Sequence, residues 1–99
     1  MSFVTTEPEA LTAAAARLTV IGSAMSAKSG AVAAPTTGLV PAAADEVSAL
    51  TAVAFAAHGQ LYQEVGVQAL AIHELFVATL QGAAGSYAAT EAANAAAAR

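Results

Sequence analysis

His58 and His73 are the side chains with the clearest capacity for chemistry, since two imidazoles could share a metal ion. They are fifteen residues apart in a helix-forming stretch, which separates them by roughly 22 Å along a helix axis. Both ligands of one zinc must lie within about 2 Å of it, so one ion cannot bridge them within a chain. They read instead as interfacial or core-flanking histidines. Asp45, Ser48 and His58 supply the names of a hydrolase triad, but all lie on or near one helix, without a nucleophile elbow or a Gly-rich oxyanion loop. There is no phosphate loop, dinucleotide fingerprint or carboxylate cluster. With no cysteine, thiolate metal sites, disulfides and cysteine nucleophiles are excluded as well. The expectation is a chain that is not an enzyme and carries no cofactor and no metal.

A second pair has a different use. Tyr87 and Glu91 stand at i and i+4, so on a helix they share a face, an aromatic and an acid one turn apart that a receptor groove can read as anchor plus charge. The spacing is common and by itself carries little. Pro8 with Glu7 and Glu9 is most simply a helix start, the acids complementing the positive end of the helix dipole.

These residues need elements to position them. Thr6 and Glu9 have capping-box spacing, and Pro8 between them lies in the first turn, where its missing N–H does no harm. A first helix is expected at about 7–33. Leu11, Leu18, Met25 and Val32 recur by sevens, with Ala14 and Ile21 completing a seam. Pro35, Gly38 and Pro41 then make 34–44 a loop. A connection that short makes the helices antiparallel neighbours, and Asp45 is a natural N-cap for a second helix, with Glu46 beside it. That helix is expected at about 45–81, about 55 Å long, with Gly59 and Gly66 inside it as points of close helix approach. Residues 1–85 would form the hairpin domain. In residues 86–99, alanine-rich after Gly82 and Gly85, propensity favours helix, but with nothing to hold it to a core the expectation is a frayed tail that is helical only when bound.

The second helix carries a surplus of apolar surface. Val47, Leu50, Ala54, Leu61, Val65, Ile72 and Leu75 form one stripe, and Phe55, Tyr62, Ala69, Phe76 and Leu80 form a second at its flank. Together they span roughly 160°, wider than the ~100° band of an ordinary surface helix. One hairpin partner cannot cover both, so one stripe is expected to meet the first helix and the other to stand exposed, beyond the patch size a soluble monomer tolerates. The expected interface residues are Leu11, Leu18, Ile21 and Met25 on the first helix, with Leu50, Phe55, Leu61, Tyr62, Val65, Ile72 and Phe76 on the second.

Composition agrees with that reading and removes other classes. The chain has 99 residues, at most one domain. Its hydrophobic fraction of 58% overstates the core, because 31 residues are alanines, which add helix propensity but little buried area. Net charge is −4 and the only basic residues are Arg17, Lys28 and Arg99. Those are too few and too scattered to neutralise a run of phosphates, which argues against nucleic acid and an anionic membrane surface. The opening residues lack a basic n-region and an apolar h-region, so no cleavable signal peptide is read there. No run of eighteen residues is continuously apolar, so no transmembrane segment is expected and the chain reads as soluble.

Three segments carry a resemblance: Met1-Ser2-Phe3-Val4 followed by Pro8-Glu9; Pro35-Thr36-Thr37-Gly38-Leu39-Val40-Pro41-Ala42-Ala43-Ala44-Asp45-Glu46-Val47-Ser48; and Ser86-Tyr87-Ala88-Ala89-Thr90-Glu91-Ala92. In this order and spacing the whole chain closely resembles a mycobacterial PE protein, in the short form that consists of the PE domain alone. It is most similar to PE proteins associated with the fifth type VII secretion system. The resemblance implies an all-α fold, two long antiparallel helices whose hairpin completes a four-helix bundle with a PPE protein. It implies an obligate heterodimer exported folded by the type VII machinery, to the medium or to the cell surface and outer envelope. It also implies that Tyr87 and Glu91 are the export signal and that Pro8 and Glu9 are the family motif. An outer-envelope PE/PPE assembly that assists solute uptake is a second expectation, and a self-associating bundle without a heterologous partner a third.

Overall fold

The structure, a computed structural model, describes residues 4–99; Met1, Ser2 and Phe3 of the resembling N-terminal segment lie outside the described residues. Two helices account for nearly all of it, α1 (Pro8–Thr37) and α2 (Glu46–Ala97), and no strand occurs among the described residues. The fold is all-α, a helical hairpin. Its contacts fall into two compact units, one of residues 1–22 with 73–99 and one of residues 23–72.

Both helices outrun the expected bounds. α1 continues past residue 33 through Pro35 to Thr37. The proline takes from the ladder the one N–H that would serve the carbonyl of Ala31, and the turn beyond it is braced by further bonds. The Thr36 hydroxyl donates to Val32 O at 2.6 Å, the Thr37 hydroxyl to Ala33 O at 2.7 Å, and the Gly38 N–H to Ala34 O at 2.9 Å. At its other end Glu7, not Thr6, is the cap: Glu7 O accepts from the Ala10 and Leu11 N–H groups at 3.0 and 3.3 Å. Pro8 is then the first helical residue, where its fixed φ suits the turn. The expected Thr6–Glu9 capping box gives way, because Thr6 bonds across to α2.

Asp45 caps α2 as expected. Its Oδ1 accepts the Ser48 N–H at 2.8 Å and its Oδ2 the Ser48 hydroxyl at 2.8 Å. The Ser48 N–H, and after it the hydroxyl, hold the Asp45 carboxyl below the ordinary aspartate range. α2 then runs unbroken through Gly82 and Gly85 to Ala97, where a frayed tail was expected. A Cβ at either glycine would meet nothing within 4 Å, so each costs the helix only about 1 kcal/mol. The alanine run offsets that, Ala84 is buried, and Glu91 is bonded to Thr6.

In the 23–72 unit the helices meet through small and polar side chains. The Ser29 hydroxyl donates to Gln63 Oε1 at 3.4 Å and Gln63 Nε2 donates to Ser29 O at 3.2 Å, a reciprocal pair. Gly59 is buried so closely that a Cβ there would lie 2.5 Å from Thr36 O, and one on Gly66 would lie 3.5 Å from Ser29 Oγ. In the unit of residues 1–22 and 73–99, His73 Nε2 stands 2.7 Å from Leu18 O. A carbonyl can only accept, so Nε2 carries the proton. A Cβ on Gly22 would lie 2.9 Å from the His73 ring. Ala15, Val77 and Ala84 are the buried apolar side chains among the described residues, and all belong to this unit.

The seam is built of heptads, one series on α1 and two on α2. Pro8, Ala15, Gly22, Ser29 and Thr36 are buried or half-buried at intervals of seven on α1. On α2 so are Ala52, Gly59, Gly66, His73 and Leu80, and Ala56, Gln63, Leu70, Val77, Ala84 and Glu91. The expected α1 seam of Leu11, Leu18, Met25 and Val32 is displaced to a flank: Leu11 and Leu18 are half-buried, while Met25 and Val32 are exposed, as is Ile21. Small residues win the centre of the seam because they let the backbones approach to where Cβ atoms would collide.

Candidate interaction surface

With the seam made of small residues, the large apolar side chains of α2 stand elsewhere. Leu50, Phe55, Leu61, Tyr62, Val65, Ile72 and Phe76 are each between 55% and 68% exposed. These are the expected interface residues of α2, and they come from both stripes. The expectation that one whole stripe meets the first helix is therefore overturned: of the two stripes only Leu80 is half-buried in the seam, and the face toward α1 is otherwise a third one. In the 23–72 unit Val32 and Leu39 stand with Phe55 and Tyr62 around an apolar cleft of about 390 Å³, with Gly59 at its floor and His58 beside it. Removing a side chain such as Leu or Phe from water stabilises by about 1.5–3 kcal/mol, and these faces withhold that gain until something covers them.

The histidines do not meet in a metal site. His58 is exposed at the cleft and His73 is engaged with Leu18 O. Among the described residues no three His, Asp or Glu side chains gather into a group that could hold a metal. Ser48 is engaged as the donor to Asp45.

Tyr87 and Glu91 both continue the α2 seam heptads rather than the outward stripes. Tyr87 is 47% exposed. Glu91 is half-buried, and its Oε1 accepts two hydrogen bonds from Thr6, one from the backbone N–H at 2.9 Å and one from the hydroxyl at 2.8 Å. Pro8 is half-buried and Glu9 exposed. Sequence reading found Tyr87 and Glu91 as a pair but missed Thr6 as the partner of Glu91, since nothing local connects residues 85 apart. The recurrence of small residues at 52, 59 and 66 ahead of His73 was the available signal for the seam.

α1 is long and apolar enough to cross a membrane by length and composition, with a mean hydropathy of 1.3 over its best stretch. Ten of its thirty residues are alanines. Arg17 and Lys28 lie within the helix, and a basic residue at a helix centre costs about 2.5–3.5 kcal/mol to insert.

Relatives match this sequence over nearly its whole length. The chain is 63% identical over 98 residues to PE family protein PE13 of Mycobacterium tuberculosis, covering 99% of both proteins. It is 56% identical to PE family protein PE8 of the same species over 98 residues, which are 99% of this chain but 36% of that one. With PE cleavage protein A, also of M. tuberculosis, identity is 55% over 92 residues, 93% of this chain and 16% of that protein. The matched piece is thus only part of the longer relatives. The PE family model matches residues 4–94, and the chain belongs to the PE family.

Proposed function

We propose that this chain is a non-enzymatic PE protein that forms an obligate heterodimer with a PPE protein and carries, in Tyr87 and Glu91, the signal by which a type VII secretion system, the fifth of its kind, exports the folded pair. The observation that carries the pairing is the exposure of both apolar stripes of α2 while the chain's own seam uses small residues. Two helices of a partner laid along Leu50, Phe55, Leu61, Tyr62, Val65, Ile72 and Phe76, with Leu11, Leu18, Ile21 and Met25 at the flank, complete a four-helix bundle. An interface along helices of this length buries about 2,000 Å² or more, the obligate range. The working location is the medium or the mycobacterial cell surface.

Co-expression tests the pairing: the chain is expected to be recovered as a monodisperse pair with its PPE partner and to aggregate or self-associate alone. A monodisperse, cooperatively melting monomer obtained without a partner overturns it. For the signal, Tyr87→Ala should leave pairing intact and stop export; normal culture-filtrate levels of that variant remove the assignment.

Membership of the PE family supports one further reading, a PE/PPE assembly in the outer envelope that assists solute uptake. Uptake into liposomes carrying the purified pair no faster than into empty vesicles counts against it.

A further inference from the structure

The export reading treats Tyr87 and Glu91 as a signal written on α2 alone. Within the unit of residues 1–22 and 73–99 they are half of an arrangement whose other half is the segment before α1. Both Thr6 donors converge on one carboxylate oxygen of Glu91, at 2.9 and 2.8 Å. A charged acceptor taking two donors is held more firmly than a lone exposed carboxylate, which swings through several rotamers. Thr6 is half-buried, so the tie is partly sheltered from water. Tyr87 is placed by the same register. Gly22 meets His73, and two steps of seven back along α1 and forward along α2 bring Pro8 to the level of Tyr87.

Resting on the export reading above, we propose that Thr6 is the positioning residue of the export signal: its amide and hydroxyl lock the Glu91 carboxylate, so that the signal is composite and is presented in full only when the beginning of α1 is closed against the end of α2. A receptor of this surface would read Tyr87 together with a carboxylate of fixed direction. A hairpin open at this point, as in a chain not yet folded against its partner, would offer the same residues with the carboxylate adrift and would be passed over.

The test uses the full chain, tagged and expressed in a mycobacterial host, with Thr6→Ser, which keeps both donors, and Thr6→Pro, which removes both. Export is read as the filtrate-to-cell ratio at equal cellular levels of the paired chain, and amide hydrogen exchange over residues 88–95 is read on the purified pair. For Thr6→Pro the expected result is exchange faster by roughly tenfold, the factor for losing a charge-assisted bond, together with a several-fold fall in export; Thr6→Ser should match the parent in both. Faster exchange with export unchanged overturns the proposal, because the tie would then be structural only, and unchanged exchange overturns it as well. Glu91→Gln keeps an acceptor for Thr6 but no charge, so reduced export at parental exchange separates the charge read by the receptor from the tie. If Tyr87→Ala is exported normally the signal reading itself fails, which the Thr6 variants do not decide.

Discussion

The two faces of α2 are built on opposite rules. The face toward α1 reads Ala52, Ala56, Gly59, Gln63, Gly66, Leu70, His73, Val77, Leu80 and Ala84, mostly small or hydrogen-bonding residues, and is closed. The other faces carry Leu50, Phe55, Leu61, Tyr62, Val65, Ile72 and Phe76, and are open. An ordinary amphipathic helix buries its large apolar side chains first. Here close backbone approach and a few hydrogen bonds hold the hairpin, and nearly all the bulky apolar area is left for another surface. The lesson is that apolar bulk marks the outer contact of this protein and smallness marks the inner one.

The comparison breaks or sharpens under substitution. The largest effect is expected on the open face: Phe76→Asp places a charge where the partner would bury it, at roughly 3 kcal/mol or more, a hundredfold or greater loss of pairing. Helicity of the chain alone should change little, since surface substitutions usually fall within about 0.5 kcal/mol. Co-purification and circular dichroism check the two halves, and a collapse of helicity would return Phe76 to the hairpin's own core. Next comes the closed face. Gly59→Ala puts a Cβ 2.5 Å from Thr36 O, and this overpacking should lower stability by about 1–3 kcal/mol despite the better helix propensity of alanine; a lower thermal midpoint reads it, and an unchanged one removes the close approach. Gly82→Ala is the opposite case, because its Cβ meets open space, so it should stabilise the helix by up to about 1 kcal/mol.

The smallest effect is that of pH on the start of α2. The Asp45 carboxyl is held below its ordinary value by Ser48, so the folded form favours the ionised group. The contribution is present above the ordinary aspartate pKa of about 3.9 and is lost as pH falls through the lowered folded value. Acid titration of the amide resonances of Ser48 and Ala49 should show the cap releasing in that window. Asp45→Asn should flatten the response, since an amide still accepts but does not ionise there.

Much of the plan was legible. Gly38 and Pro41 mark the connection, Asp45 caps the second helix, and the excess of outward apolar residues follows from counting positions around a helix. What escaped did so for physical reasons. Small residues have no hydrophobic contrast with the alanines around them, so the heptads through Gly22 and Gly59 were outshone by Leu11 and Leu18. The last sixteen residues of α2, 82–97, depend on a hydrogen bond to Thr6 and the burial of Ala84, neither of which shows in local propensity. Two threonine hydroxyls brace the end of α1 beyond Pro35 by donating to Val32 O and Ala33 O, bonds that a rule about proline does not anticipate.

A seam of small side chains also separates two kinds of inheritance. Because the hairpin draws so little on its bulky residues to close on itself, those residues are at liberty to drift, be exchanged and be matched afresh to a different companion without the scaffold being renegotiated. On the pairing proposed above, one backbone plan could serve many copies, each matched to its own mate through its exterior alone.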